Sequence, residues 1–126
     1  MDRTRVREAL CDALVARGYD VAGDTVGLRN ELYVRGAGDS AAALFEFKET
    51  AEQACVDMYG GQGRWLPHLP PRFAVLPVSE SGAPAVEILT QVGLSVLFYE
   101  ERPSGVAFLD LDGAIALFKS GDPGAN

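Results

Sequence analysis

Glu46 and Lys48 stand two residues apart in Ala42–Lys48, a stretch whose remaining alanine, leucine and phenylalanine residues suit a buried strand. Successive strand side chains point to opposite faces. Leu44, Glu46 and Lys48 therefore share one face, while Phe45 and Phe47 share the other, which reads as the core side. A carboxylate and an ammonium on such a segment are costly to bury unless they are paired or engaged by a metal ion. The pattern therefore admits an ion pair on an edge strand or a metal-centred acid–base site. Other candidates are thinner. Arg3 and Arg7 lie on one side of an N-terminal helix, placed either for phosphate contact or as part of a solvated face. Glu8 on that helix is a remote candidate for a metal site. His68, the one histidine, falls in a proline-rich loop and reads as a surface residue.

The elements that would position these groups follow from periodicity. Residues 2–17 form an amphipathic helix with Val6, Leu10, Ala13 and Leu14 on one stripe, Asp2 as cap and Gly18 as stop. A short strand, Tyr19–Ala22, precedes a longer one, Val26–Arg35. In the longer strand Leu28, Leu32 and Val34 alternate with a polar face that carries Glu31. The turn Gly36–Ser40 makes a hairpin with Ala42–Lys48. Thr50–Tyr59 is helical, with Thr50-x-x-Gln53 as a capping box and Gly60-Gly61 as the end. Gln62–Pro71, which holds Trp65 and His68, is a loop. Arg72–Val78 is a continuous apolar run fitting a buried, parallel strand. A helix over Gly82–Val92, a strand over Leu94–Tyr99 and a second strand over Val106–Asp110 follow. Ala114–Phe118 fits either a strand or a short helix. Residues 1–119 read as one domain, and 120–126 as a polar, glycine-rich tail. An antiparallel start followed by helix–strand alternation implies an α/β (α+β) fold, a mixed sheet flanked by helices.

Composition narrows the function classes. The 126-residue chain is 48% apolar, enough for a real core. It has no apolar run of membrane-spanning length, and its N-terminus lacks a signal peptide's apolar region, so a cytoplasmic protein is expected. Cys11 and Cys55 lie on or beside apolar stripes and read as free, buried thiols. A net charge of −7 argues against a broad nucleic-acid footprint. Only two lysines occur, Lys48 and Lys119, against nine arginines, so a lysine beside Glu46 is notable.

This element order, with Glu46-Phe47-Lys48 on the third strand, resembles the PD-(D/E)xK nuclease superfamily and its restriction-endonuclease-like αβββαβαβ core, over roughly residues 2–99. The resemblance implies an acid on the second strand, matched by Glu31 with Asp39 as its rival, then the Glu46/Lys48 pair, then Gln53 in the next helix. Glu31, Glu46 and the backbone carbonyl of Phe47 would hold Mg²⁺, with Mn²⁺ as a substitute. Lys48 would assist the attacking water, and Gln53 would support the site. The sequence departs from the family pattern in lacking Pro-Asp before the second strand and in having Glu for the usual first acid. In length and motif order it also resembles archaeal Holliday-junction resolvases, without their basic face.

The expected function is therefore Mg²⁺-dependent endonucleolytic hydrolysis of nucleic acid, DNA before RNA. A homodimer would form through Leu94–Asp110 or an exposed helix, or a partner protein would supply DNA affinity. An arginine face built from Arg3, Arg7, Arg29, Arg35 and Arg64 near Glu46 would favour that activity. The contrasting expectation is a non-catalytic interaction or regulatory module in which Glu46 and Lys48 only stabilise the sheet.

Overall fold

A computed structural model of the chain describes residues 3–22, 31–35, 41–60 and 71–120. Helix α1 (Arg3–Ala16) leads into β1 (Asp20–Ala22), β2 (Glu31–Arg35) and β3 (Ala41–Phe47). Helix α2 (Ala51–Ala54) continues as a π-helix over Cys55–Gly60. Then come β4 (Arg72–Pro77), a 3-10 turn at Val78–Glu80, α3 (Pro84–Gln91), β5 (Ser95–Arg102), β6 (Gly105–Leu109) and α4 (Leu111–Ser120). The fold is α+β, and the strands form one six-stranded mixed sheet in the order β1-β2-β3-β4-β5-β6.

The first three strands and the β5–β6 hairpin pair antiparallel, while β4 runs parallel to both β3 and β5. The parallel placing of β4 agrees with its sequence, because a strand covered on both faces needs no alternation. Phe73, Ala74, Val75 and Leu76 are all fully buried. Their side chains divide between two cores. On one face Val6, Leu10 and Leu14 of α1 and Leu111 and Ala114 of α4 pack against Leu32, Val34, Phe45, Phe47, Phe73 and Val75. On the other, Ala51 and Ala54 of α2 and Leu89 of α3 pack against Ala74 and Leu76. Helices thus cover both faces of the sheet centre.

The edge-strand option for Glu46 and Lys48 is corrected by this order. β3 is interior, flanked by β2 and β4, and on the face opposite Phe45 and Phe47 both Glu46 and Lys48 are buried. Two further expectations change, and the two alternatives for Ala114–Phe118 resolve to a helix. The helix at Thr50 loses its α-helical pitch after Ala54 and widens into the π-segment. β5 extends to Arg102 rather than stopping at Tyr99. The segment left open between strand and helix is α4, because Asp110 adopts φ 62° and accepts the Gly113 N–H on Oδ1 at 3.1 Å, which starts a helix there. Gly18 (φ +89°) supplies the expected stop of α1. Asp2, Asp39, His68, Trp65 and residues 121–126 of the expected tail lie outside the described residues, as do 26–30 of the expected second strand. Both cysteines are free and partly buried. Among the described residues, no helix is long and apolar enough to cross a membrane.

The rings of Phe45 and Phe73 stack across the β3–β4 seam with centroids 4.8 Å apart, which ties the sheet centre to the α1 side. Phe73→Ala is expected to cost about 3–5 kcal/mol in urea unfolding. A loss below about 1 kcal/mol would be out of line with a fully buried ring at that seam.

Candidate functional site

The register of β2 against β3 places Glu31 directly opposite Glu46. Residues facing each other in an antiparallel pair have Cα atoms about 4.5–5.5 Å apart, so the two carboxylates leave the sheet side by side. Both point to the face opposite Phe45 and Phe47, as does Tyr33. Glu46 and Lys48 are each only 6% exposed. Like charges facing across strands repel, so this corner needs counter-charges and hydrogen bonds.

The strongest counter-charge is Arg72, the first residue of β4. Parallel pairing sets Arg72 beside Leu44, one step down the face from Glu46. Its Nε and Nη2 both donate to Oε2 of Glu46, at 3.0 and 2.5 Å. Lys48 follows the last residue of β3, and its backbone N–H bonds to the Val75 carbonyl at 3.1 Å, which extends the ladder one step. Its ammonium donates to Asp57 Oδ2 at 2.9 Å and lies 3.9 Å from Glu46 Oε1. Lys48 is therefore held by Asp57 more closely than by its strand neighbour.

Asp57 sits in the π-helical segment. The element that presents it starts at Thr50, whose hydroxyl accepts the Gln53 N–H at 3.0 Å, and Glu80 from the 3-10 turn accepts the Ala51 N–H at 2.8 Å. Gln53 Nε2 donates to Asp57 Oδ1 at 2.8 Å. The described contacts include no return bond from the Gln53 side chain to the cap backbone, so only the Thr50 half of the capping box is observed. Glu31 is attended by the Tyr33 hydroxyl, which donates to its Oε2 at 3.1 Å. The Arg7 Nε–H donates to the Glu31 backbone carbonyl at 3.3 Å, tying α1 to this strand.

Electrostatics follow the contacts. The ammonium of Lys48 holds the Asp57 carboxyl below its ordinary value of 3.8, partly opposed by burial, with Gln53 adding to the lowering. Burial pushes the Tyr33 phenol up; the charge of Glu31 and the bond to it add, Glu46 adds further, and Arg72 opposes. Cys55 is raised by burial and by Glu52.

Of the sequence candidates, Glu31, Glu46 and Lys48 come together at one end of β2 and β3, with the Phe47 backbone between the last two. Gln53 reaches the group only through Asp57. The arginine face does not assemble among the described residues. Arg7 is engaged with β2, Arg35 is exposed at the end of its strand, and Arg29 and Arg64 lie outside the described residues, as does the side chain of Arg3. Glu8 is exposed. Sequence reading missed Tyr33, Asp57 and Arg72. Gln53 and Asp57 are four residues apart, a spacing that pairs an amide with a carboxylate on a helix, so Asp57 had a local signal. Arg72 had only its position at the head of an apolar run.

Among the described residues, no group of three or more His, Cys, Asp or Glu side chains is arranged to hold a metal ion. No protein-family model matches the chain, and no curated protein or solved structure matches it.

Two outcomes follow. Glu46→Ala removes the carboxylate shared by Arg72 and Lys48 and is expected to destabilise by about 1.5–3 kcal/mol in urea unfolding, since Arg72 can reach water and Lys48 keeps Asp57. Asp57 is the acid-sensitive member. Because its folded value is lowered, its contribution is complete above the unfolded-chain value of 3.8 and is lost as the pH falls through the lower folded value. The stability gap between the native chain and Asp57→Asn should hold at neutral pH and close below 3.8. A gap that widens on acidification would contradict the Lys48–Asp57 assignment.

Proposed function

We propose that this chain is a Mg²⁺-dependent nuclease of the PD-(D/E)xK type, hydrolysing phosphodiester bonds of DNA in preference to RNA. The observation that carries the reading is the register that sets Glu31 opposite Glu46 with Lys48 two residues further on. The reading is supported by the helix, three antiparallel strands, helix and parallel strand that frame the pair, an order compatible with the one the resemblance implies.

The donor set fits the cation. Mg²⁺ keeps several waters and is typically held by one or two carboxylates together with substrate phosphates, so a closed cage of side chains is not needed. Glu31 and Glu46 would hold it, with the Phe47 carbonyl as a third oxygen. Bound there, Mg²⁺ would acidify a water and polarise the phosphoryl group. The chain supplies the rest. Lys48 lies beside the carboxylates with a donor-only head, suited to orienting the attacking water and to offsetting negative charge on the phosphorus oxygens. Asp57 and Gln53 fix where that ammonium sits. Since one small domain reaches one strand, the reading includes a homodimer or a basic partner protein, the net charge of −7 giving little affinity of its own.

One observation favours a second reading. Glu46 already has a cation at each oxygen, Arg72 on Oε2 and Lys48 facing Oε1, as expected of a structural ion-pair network in an interaction module. Cleavage of a panel of single-stranded, duplex and branched DNA in Mg²⁺ or Mn²⁺ separates the two. The native chain is expected to cut, with Lys48→Met slower by at least about 10²-fold at unchanged fold. Cutting that survives Lys48→Met would remove the site from this strand. No cutting and no metal uptake would leave the module.

A further inference from the structure

Glu46 is the one carboxylate of the group with cations at both oxygens, and the two cations are held differently. Lys48 is 6% exposed and fixed between Asp57 at 2.9 Å and Glu46 at 3.9 Å. Arg72 has a side chain 19% exposed at the first residue of β4, and its two described side-chain bonds both end on Oε2 of Glu46. An arginine can leave such a position for water by rotating its long stem, whereas Lys48 cannot leave without breaking its bond to Asp57.

We infer that Arg72 competes with a divalent cation for Glu46, so that metal loading displaces the guanidinium from Oε2. The inference rests on the metal-site reading above and adds what occupies the ligand before the metal does. Charge supports it. Counted by formal charge, Glu31, Glu46 and Asp57 contribute three negative charges against two positive ones on Lys48 and Arg72, leaving a net −1. A divalent cation entering with Arg72 in place would turn that to +1 in a largely covered site. Release of Arg72 into solvent returns the group to neutrality, which is the less costly state to bury. The same carboxylate oxygen cannot accept two short guanidinium bonds and also give its best lone pair to a metal.

The test is calorimetric titration of the 126-residue chain with MnCl₂ and MgCl₂, as the native protein and as Arg72→Gln, Arg72→Lys, Glu46→Gln and the Arg72→Gln/Glu46→Gln pair. Arg72→Gln is expected to bind Mn²⁺ about tenfold more tightly than the native chain, the scale of removing one charge-assisted competitor from the carboxylate. Arg72→Lys keeps the charge but loses the two-pronged contact; it should fall between, and it carries the test if the glutamine variant does not fold. Glu46→Gln should abolish the gain. Equal affinity with and without Arg72, weaker binding by the Arg72 variants, a gain that persists in the double variant, or no uptake by any protein would each overturn the competition. Its fate is separable from that of the nuclease reading. Tighter metal binding without DNA cleavage by any variant supports the competition and ends the nuclease reading. Cleavage by the native chain with an affinity indifferent to residue 72 does the reverse.

Discussion

A carboxylate on an interior strand, with helices over both faces of the sheet, is the constraint around which this corner of the molecule is arranged. Glu46 has Phe45 and Phe47 beside it in the chain, Glu31 opposite it on β2 and Ala74 beside it on β4. None of these neutralises it. The residues that do come from elsewhere: Arg72 after the 61–70 segment, and Lys48 at the strand end, held in turn by Asp57. Removing Arg72 or Asp57 leaves Glu46 or Lys48, both buried, short of a partner, a larger penalty than most single contacts on a protein surface contribute. The network therefore links β3, β4 and the helix after β3.

That linkage bears on the helix. A four-residue α-helix that widens into a π-segment is an uncommon choice, since π-turns give poorer packing and mark sites where a side chain must be re-aimed. Here the widened segment carries Asp57 to Lys48 Nζ, while Ala51 and Ala54 stay in the core under the sheet. Both ends of this compromise are visible. The α-helical turn buries alanines too small to crowd the sheet, and the π-helical segment delivers a carboxylate. Nothing in residues 55–60 announces that change of pitch, because the apolar spacing of Ala51, Ala54 and Cys55 fits an α-helix equally well.

The sequence was informative wherever a side chain's fate depends on near neighbours. Alternation placed Leu32 and Val34 inward and Glu31 outward, and the phenylalanines of β3 on the core side. It also brought Glu31 and Glu46 to one face, since a hairpin keeps like faces together. The apolar run of β4 and the stop of α1 at Gly18 were local as well. Arg72 was not legible, because its meaning depends on the parallel register of β4 against β3, a relation between residues 26 apart in sequence. The edge-strand alternative for β3 falls for a related reason, while its reading as a buried strand holds. A single charged pair on an apolar strand looks like an edge, whereas an interior strand can hold the same pair once a distant arginine completes it.

Charge, finally, is distributed in a way that restricts how such a site can be used. The chain as a whole is acidic, yet both cations beside Glu46 are drawn from a small basic complement and lie at the same end of the sheet. On the nuclease reading a phosphate would find attraction there, and with a net charge of −7 affinity would come from the metal, a second copy or a basic partner rather than from counterion release along a duplex. On the module reading the same cations are spent on Glu46 and nothing remains for a phosphate. The two readings thus meet at Glu46, whose two-pronged contact with Arg72 either yields to a cation or anchors the sheet, while cleavage itself is a separate question.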